Sequence, residues 1–133
     1  MNSIKDIVDR NGGMEWIPRR SPYLVSIDPL NHLVVEYAGH SPTGLPAVSV
    51  AFFNRDRGDD AHRRVIFEVT DLGWLPFHLF SKQEPMALDV YEEKKNGRGY
   101  KINHIARAQL VNICYNMDEE LEVLLSPDQV VLT

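Results

Sequence analysis

Thiol chemistry is nearly absent from this chain. Cys114 is the single cysteine among 133 residues, which excludes an internal disulfide and a cysteine-rich zinc site. The usage suits a reducing compartment, and on a helix beside Ile113 a buried, inert thiol is the simple expectation. Long apolar runs are missing too. Nothing approaches the roughly 20 residues that a membrane-spanning helix needs, and the first ten residues carry too much charge for the apolar region of a signal peptide. The expectation is a soluble, cytoplasmic protein without a membrane partner. A basic excess is also lacking. The net charge is -5, residues 1–66 balance eight basic against eight acidic side chains, and residues 67–133 hold six basic and eleven acidic. Nucleic-acid binding rests on a basic footprint, so it is disfavoured unless Arg19-Arg20, Arg63-Arg64 and Lys94-Lys95 share one face.

Several signatures of common enzymes are absent as well: the Gly-x-Ser-x-Gly elbow, the phosphate-cradling Gly-x-x-x-x-Gly-Lys loop, the dinucleotide fingerprint and the His-Glu-x-x-His zinc helix. The five histidines (His32, His40, His62, His78 and His104) never form a close ligand pair. No catalytic residue, metal ligand or cofactor is assigned. Asp56, Asp59, Asp60 and His62 cluster on one predicted turn, where oxygen ligands could hold Mg²⁺ or Ca²⁺. The spacing is not that of a calcium loop, and Arg55, Arg57, Arg63 and Arg64 would repel a cation. A solvated turn is the simpler reading.

What the chain does have is strict alternation. Val48, Val50 and Phe52 alternate with Ala47, Ser49 and Ala51, and Val65, Phe67 and Val69 alternate with Arg64, Glu68 and Thr70. A period of two puts each set on one sheet face, so Leu45 to Asp71 reads as a long hairpin with a charged tip at Asn54 to Asp60. Before it, 23–28 and 32–38 alternate around the turn Asp28-Pro29-Leu30-Asn31, where proline presets φ and Asp and Asn bond their own backbone. Ser3 and Asp6 have capping-box spacing, and Asn11-Gly12-Gly13 would end a short first helix. Met86, Leu88 and Val90 alternate once more and lead into the solvated loop 92–99.

The segment Trp74 to Phe80 is apolar on both sides. Pro76 has no N–H to give a ladder, so the segment is expected at an edge or in an irregular crossing. Either two layers cover it, or one side is exposed for a partner. A final helix is expected from near Asn103, with Ile102, Ile105, Ala106, Ile113, Met117, Leu121 and Leu124 as its apolar stripe. Asp118, Glu119, Glu120 and Glu122 oppose the dipole preference at the end of a long helix, which predicts a break near Asn116 and a new helix capped by Asp118. Pro127 would end it, and 130–132 would add a short strand or fray. The expected architecture is one α+β domain over 1–133: an antiparallel meander of five to six strands packed on one face by the C-terminal helix.

Pro46 to Phe52, Gly58-Asp59, Phe67-Glu68-Val69, Gly73-Trp74 with Pro76, and Val90-Tyr91 together resemble a bacterial domain family of unknown function associated with plasmids and other mobile elements. The resemblance covers most of residues 3–122. It departs at His62-Arg63-Arg64, where an acidic residue and a proline are expected. It implies a genomic setting and no activity.

These readings converge on a non-enzymatic protein-binding module. Trp74, Phe77 and Phe80 would supply apolar contact, and Asp118, Glu119, Glu120 and Glu122 would meet a basic surface, where charge governs encounter and choice of partner. With the resemblance, this becomes an accessory protein that inhibits a host defence complex. The alternative is a small enzyme or ligand-binding domain with a pocket between sheet and helix, using His78, Tyr91, Cys114 or the Asp59 loop. A Cys114–His78 nucleophilic pair would require the two to meet in space.

Overall fold

The computed structural model describes residues 23–26, 31–54, 63–81, 86–95, 97, 99–124 and 131–132. The expected first helix, the linker around Pro18 and Pro22, the turn at 28–30, most of the charged hairpin tip and Pro127 lie outside them. Six strands follow one another as an antiparallel meander: β1 (Tyr23–Ser26), β2 (Asn31–His40), β3 (Pro46–Asn54), β4 (Arg63–Thr70), β5 (Gly73–Ser81) and β6 (Met86–Asp89). Two short strands, β7 (Tyr91–Glu93) and β8 (Tyr100–Ile102), pair as a separate hairpin, and one helix, α1 (His104–Leu124), then packs on the sheet. The last strand, β9 (Val131–Leu132), lies antiparallel beside β1, so the order is β6-β5-β4-β3-β2-β1-β9. This is the α+β meander with a covering C-terminal helix that the alternation predicts. Helix α1 is too polar to cross a membrane.

The central register explains the core. Val48 lies opposite Phe67 and Val50 opposite Val65, while on the other side of β3 Leu33 faces Phe52 and Val35 faces Val50. Directly opposed residues point to the same face, so one face collects Leu33, Val35, Val48, Val50, Val65 and Phe67, all fully buried. Their counterparts on β3, Ala47, Ser49 and Ala51, are buried as well. These side chains are short and stand between longer neighbours: Ala51 between Val34 and Arg64, Ser49 between Glu36 and Ile66, Ala47 beside Glu68.

Turns follow local chemistry. Between β2 and β3, Gly44 N–H bonds Ser41 O at 2.9 Å with Pro42 next to Ser41, and Gly44 takes a φ of 86°, which glycine adopts at little cost. Between β4 and β5, Thr70 pairs with Gly73 across a two-residue loop, and the Thr70 hydroxyl donates to Gly73 O at 2.7 Å. That loop lifts Leu72 fully into solvent.

Strand β5 carries the irregularity that Pro76 announces. Ile66 pairs with His78 but Phe67 pairs with Pro76, so Phe77 is an extra residue, a bulge. The bulge lets Trp74 and Leu79 join the core while Phe77 packs against it, although their spacing breaks a strict period of two. Strand β6 pairs only with His78 to Ser81, and Val90 N–H bonds Phe77 O at 2.9 Å. From Gly73 to Pro76, among the described residues, β5 therefore has no strand on that side, and α1 lies against it.

Helix α1 begins as expected. Asn103 is its N-cap, its Oδ1 accepting from Ala106 N–H at 3.0 Å, which satisfies one of the free amides of the first turn. Two expectations are corrected. The helix runs unbroken from His104 to Leu124, with no new start at Asp118. Its buried stripe is Ala106, Leu110, Cys114 and Met117 with Ile113 alongside, whereas Ile105 is 74% exposed and Ile102 lies exposed on β8. Burying a Leu or Met side chain contributes about 1.5–3 kcal/mol. Adverse dipole contacts cost about 0.3–1 kcal/mol each, so continuous packing outweighs the acidic run. Leu110→Ala should accordingly lower unfolding stability by about 2–5 kcal/mol, while Ile105→Ala should change it by less than about 0.5 kcal/mol. Urea denaturation of the two variants checks this, and equal losses would contradict the observed stripe.

Candidate functional site

Two arrangements stand out, a buried polar network and an apolar cleft. The network starts at Glu68, almost wholly buried on β4. Its Oε1 accepts from the Tyr91 hydroxyl at 2.5 Å and its Oε2 from the Thr43 hydroxyl at 2.8 Å. Because Thr43 gives its proton to Glu68, the Ser41 hydroxyl must be the donor in the 2.7 Å contact with Thr43. Arg107 Nη2 reaches the Tyr91 hydroxyl at 3.4 Å, and its guanidinium lies 5.9 Å from the centre of the Tyr91 ring. Tyr91 also packs on Phe77, with ring centres 5.7 Å apart. The network thus ties the β2–β3 loop, β4, β7 and the first turns of α1 together. Glu68 is satisfied from both sides, as a buried carboxylate requires, and the arrangement reads as a structural clamp.

The cleft lies where α1 crosses the open edge of β5. Trp74, Leu75 and Pro76 form one wall, and Val111, Cys114, Tyr115 and Asp118 form the other, around about 180 Å³. A second, broader hollow of about 500 Å³ runs along Thr70 to Leu75 and shares Trp74 and Leu75 with the first. Trp74 is mostly buried beneath the cleft, its ring tilted against Phe67 at 5.8 Å. Tyr115 is 63% exposed and Val111 is also exposed.

The structure brings two of the sequence-predicted partner residues, Trp74 and Asp118, onto this one cleft, with exposed Glu119 next along α1. Phe77 is turned away, packed against Tyr91 and the core. Phe80 is 46% exposed but lies at the paired end of β5, between Arg64 and Ala87. Glu120 and Glu122 belong to α1, and their side chains lie outside the described residues. Leu75 belongs to the apolar segment singled out in the sequence, whereas sequence reasoning missed Leu72, Val111 and Tyr115. Val111 and Tyr115, four residues apart, did carry a signal: an apolar pair off the buried stripe.

The residues proposed for an enzyme do not converge. His78 Nδ1 contacts Asp89 Oδ1 at 2.5 Å on the sheet face opposite Leu79. Tyr91 is held in the network. Cys114 is buried at the cleft, and burial, with Asp118 nearby, pushes its thiol up to about 11, the reverse of an activated nucleophile. Asp59 and its loop lie outside the described residues. Among the described residues no three His, Cys, Asp or Glu side chains are grouped to hold a metal ion. No protein-family model matches the chain, and neither a curated protein nor a solved structure matches it.

The titration of Tyr91 and Cys114 gives a prediction with a definite sign. Burial, reinforced by the Glu68 carboxylate, raises the Tyr91 pKa above its ordinary value near 10, and Cys114 rises from near 9 to about 11. Both groups bind protons more tightly folded than unfolded, so their contributions are complete below the unfolded pKa values and decline as pH rises through the folded ones. The urea midpoint should be level from pH 7 to about 8.5 and fall above about 9. Tyr91→Phe should flatten the upper part of the fall and Cys114→Ala the lower part. A midpoint that rises with pH in this range would contradict the assignment.

Proposed function

We propose that this protein is a protein-binding module whose contact surface is the cleft between α1 and the open edge of β5, together with the acidic end of α1. The observation that carries the reading is the juxtaposition itself. An apolar concavity with Trp74 in its wall has Asp118 in its lining and Glu119 beside it on α1. Interfaces combine an apolar centre with a charged rim in this way, and aromatic residues dominate their energetics. The partner is a protein that presents a basic surface. Acidic charge at this place speeds encounter and selects the partner.

The resemblance to a mobile-element family supports a finer version. In it the module is a cytoplasmic accessory protein that inhibits a host defence complex by placing its acidic face in a site meant for nucleic acid. A chain with one unpaired cysteine suits that compartment.

Affinity capture of the tagged protein from a bacterial host, with partners identified by mass spectrometry, tests the reading. One stoichiometric protein is expected, and charge reversal at Glu119, Glu120 and Glu122 should release it. Capture that survives the reversal, or a clean preparation without a partner, would overturn the proposal.

A further inference from the structure

Helix α1 packs on one face of the sheet, and the strand register reconstructs the other. Across β2, β3, β4 and β5 one row of that second face runs Val34, Ala51, Arg64, Phe80, and the next runs Glu36, Ser49, Ile66, His78. Along its middle, β3 shows only Ala47, Ser49 and Ala51, all buried. Val34 and Glu36 on one side, and Arg64 and Ile66 on the other, are longer and at least partly exposed. The face therefore carries a trough one strand wide between two ridges. Ser49 is 4% exposed, and its Oγ has no hydrogen-bond partner among the described residues, a state that native proteins seldom leave uncorrected. Among the described residues neither Arg64 nor Glu36, on the ridges beside it, holds an ion pair.

We infer that two copies of this chain pair through this face, sheet against sheet, about a two-fold axis parallel to the strands between β3 and β4. The strand order selects that axis, because three strands of the meander lie on each side of it and the overlap is then greatest. Such an axis keeps each row at its own height and exchanges the two sides. Strand β4 of one copy lies over β3 of the other, and β5 lies over β2. Ridge then fills trough: Ile66 stands over Ser49, Arg64 over Ala51, and Phe80 meets Val34. His78, held by Asp89, stands over Glu36. Diagonal neighbours about 7–8 Å away are within reach of long side chains, so Arg64 of one copy donates to Ser49 Oγ and to the Glu36 carboxylate of the other. The two Arg64 side chains diverge from the axis as they do so.

That exchange is the reason for a second copy as the occupant. Positive charge and bulk (Arg64, Ile66, Phe80) lie on one side of the midline, and negative charge and small or shorter side chains (Glu36, Ser49, Val34) on the other, so the face complements itself when turned over. Its size suffices. The four central strands are each eight residues or longer. With strands about 4.8 Å apart and about 3.3 Å per residue they present about 500 Å² in each copy, and about 1,000 Å² for the pair reaches the range of specific contacts. The contact goes beyond the protein-binding reading and uses a different face. Helix α1 lies on the outer side of each sheet, so the pair carries two clefts and gains avidity for a partner with repeated sites.

Sedimentation velocity of the full-length chain at micromolar concentrations tests the inference, and a dimer is expected. Arg64→Glu and Phe80→Glu change exposed side chains, and each should weaken the dimer about tenfold or more without unfolding the chain. Adding Glu36→Arg to Arg64→Glu should restore it, because the two charges are then exchanged across the axis. Val34→Cys with Phe80→Cys gives a readout that does not depend on affinity. Within one copy these positions are three strands, about 14 Å, apart, too far for a disulfide, whereas in the pair they face each other. Oxidation should give a covalent dimer from the double variant and none from either single variant. A monomer at every concentration would overturn the inference. So would a dimer indifferent to Arg64→Glu and Phe80→Glu, a loss that the charge exchange fails to restore, or equal cross-linking of the single and double variants.

Discussion

A strand that, among the described residues, is paired along only half its length on one side organises this side of the molecule. Pro76 lacks an N–H, the adjacent bulge adds Phe77, and β6 reaches only the second half of β5. Among the described residues no strand pairs with Gly73 to Pro76 on that side, and an unprotected sheet edge is a place where another strand is recruited. Helix α1 packs on the sheet with Leu110, Cys114 and Met117 in the core and Asn103 capping its start, and it passes beside Trp74, Leu75 and Pro76. The cleft at Trp74, Leu75 and Pro76 is the space left over.

The clamp around Glu68 fixes where that helix starts. Arg107 reaches Tyr91, Tyr91 reaches Glu68, and Glu68 also accepts from the β2–β3 loop through Thr43. Asn103 N–H adds a bond to Val90 O at 2.7 Å. The beginning of α1 is thus tied to the sheet by polar contacts and its middle by apolar ones. Val111 and Tyr115 are partly exposed on the cleft side. Acidic residues gather where the helix C-terminus is itself the negative end of the dipole, so the two sources of negative potential reinforce each other there.

Much of the fold was legible in the residues. Alternation at Val48, Val50, Val65 and Phe67 marked the central hairpin and its buried face, Pro76 marked an irregular strand, which lies inside the sheet between β4 and β6 and not at its edge, and Asn103 marked the start of a helix. The helix interior was harder to read. Ile102 and Ile105 fit a helical spacing with Met117, yet the cap at Asn103 leaves Ile102 on β8, and Ile105 stands to one side of the stripe formed by Ala106, Leu110 and Met117. Leu110 lies four residues from both Ala106 and Cys114 on the buried stripe, and the acidic run at 118–122, which suggested two helices, proved weaker than continuous packing. The cleft was only half legible. Trp74 and Asp118 stood out as residue types, but what brings them together is the packing of α1 beside β5, a tertiary relation that no local spacing encodes.

Hydrogen exchange of the protein, alone and saturated with its captured partner, tests the central claim most directly. The account predicts added protection confined to the β4–β5 turn, the first half of β5, and α1 from about Val111 onward, because a bound partner shields those amides and slows their local opening. Protection that appeared instead on β2 and β3, or on the β7–β8 hairpin, would contradict it.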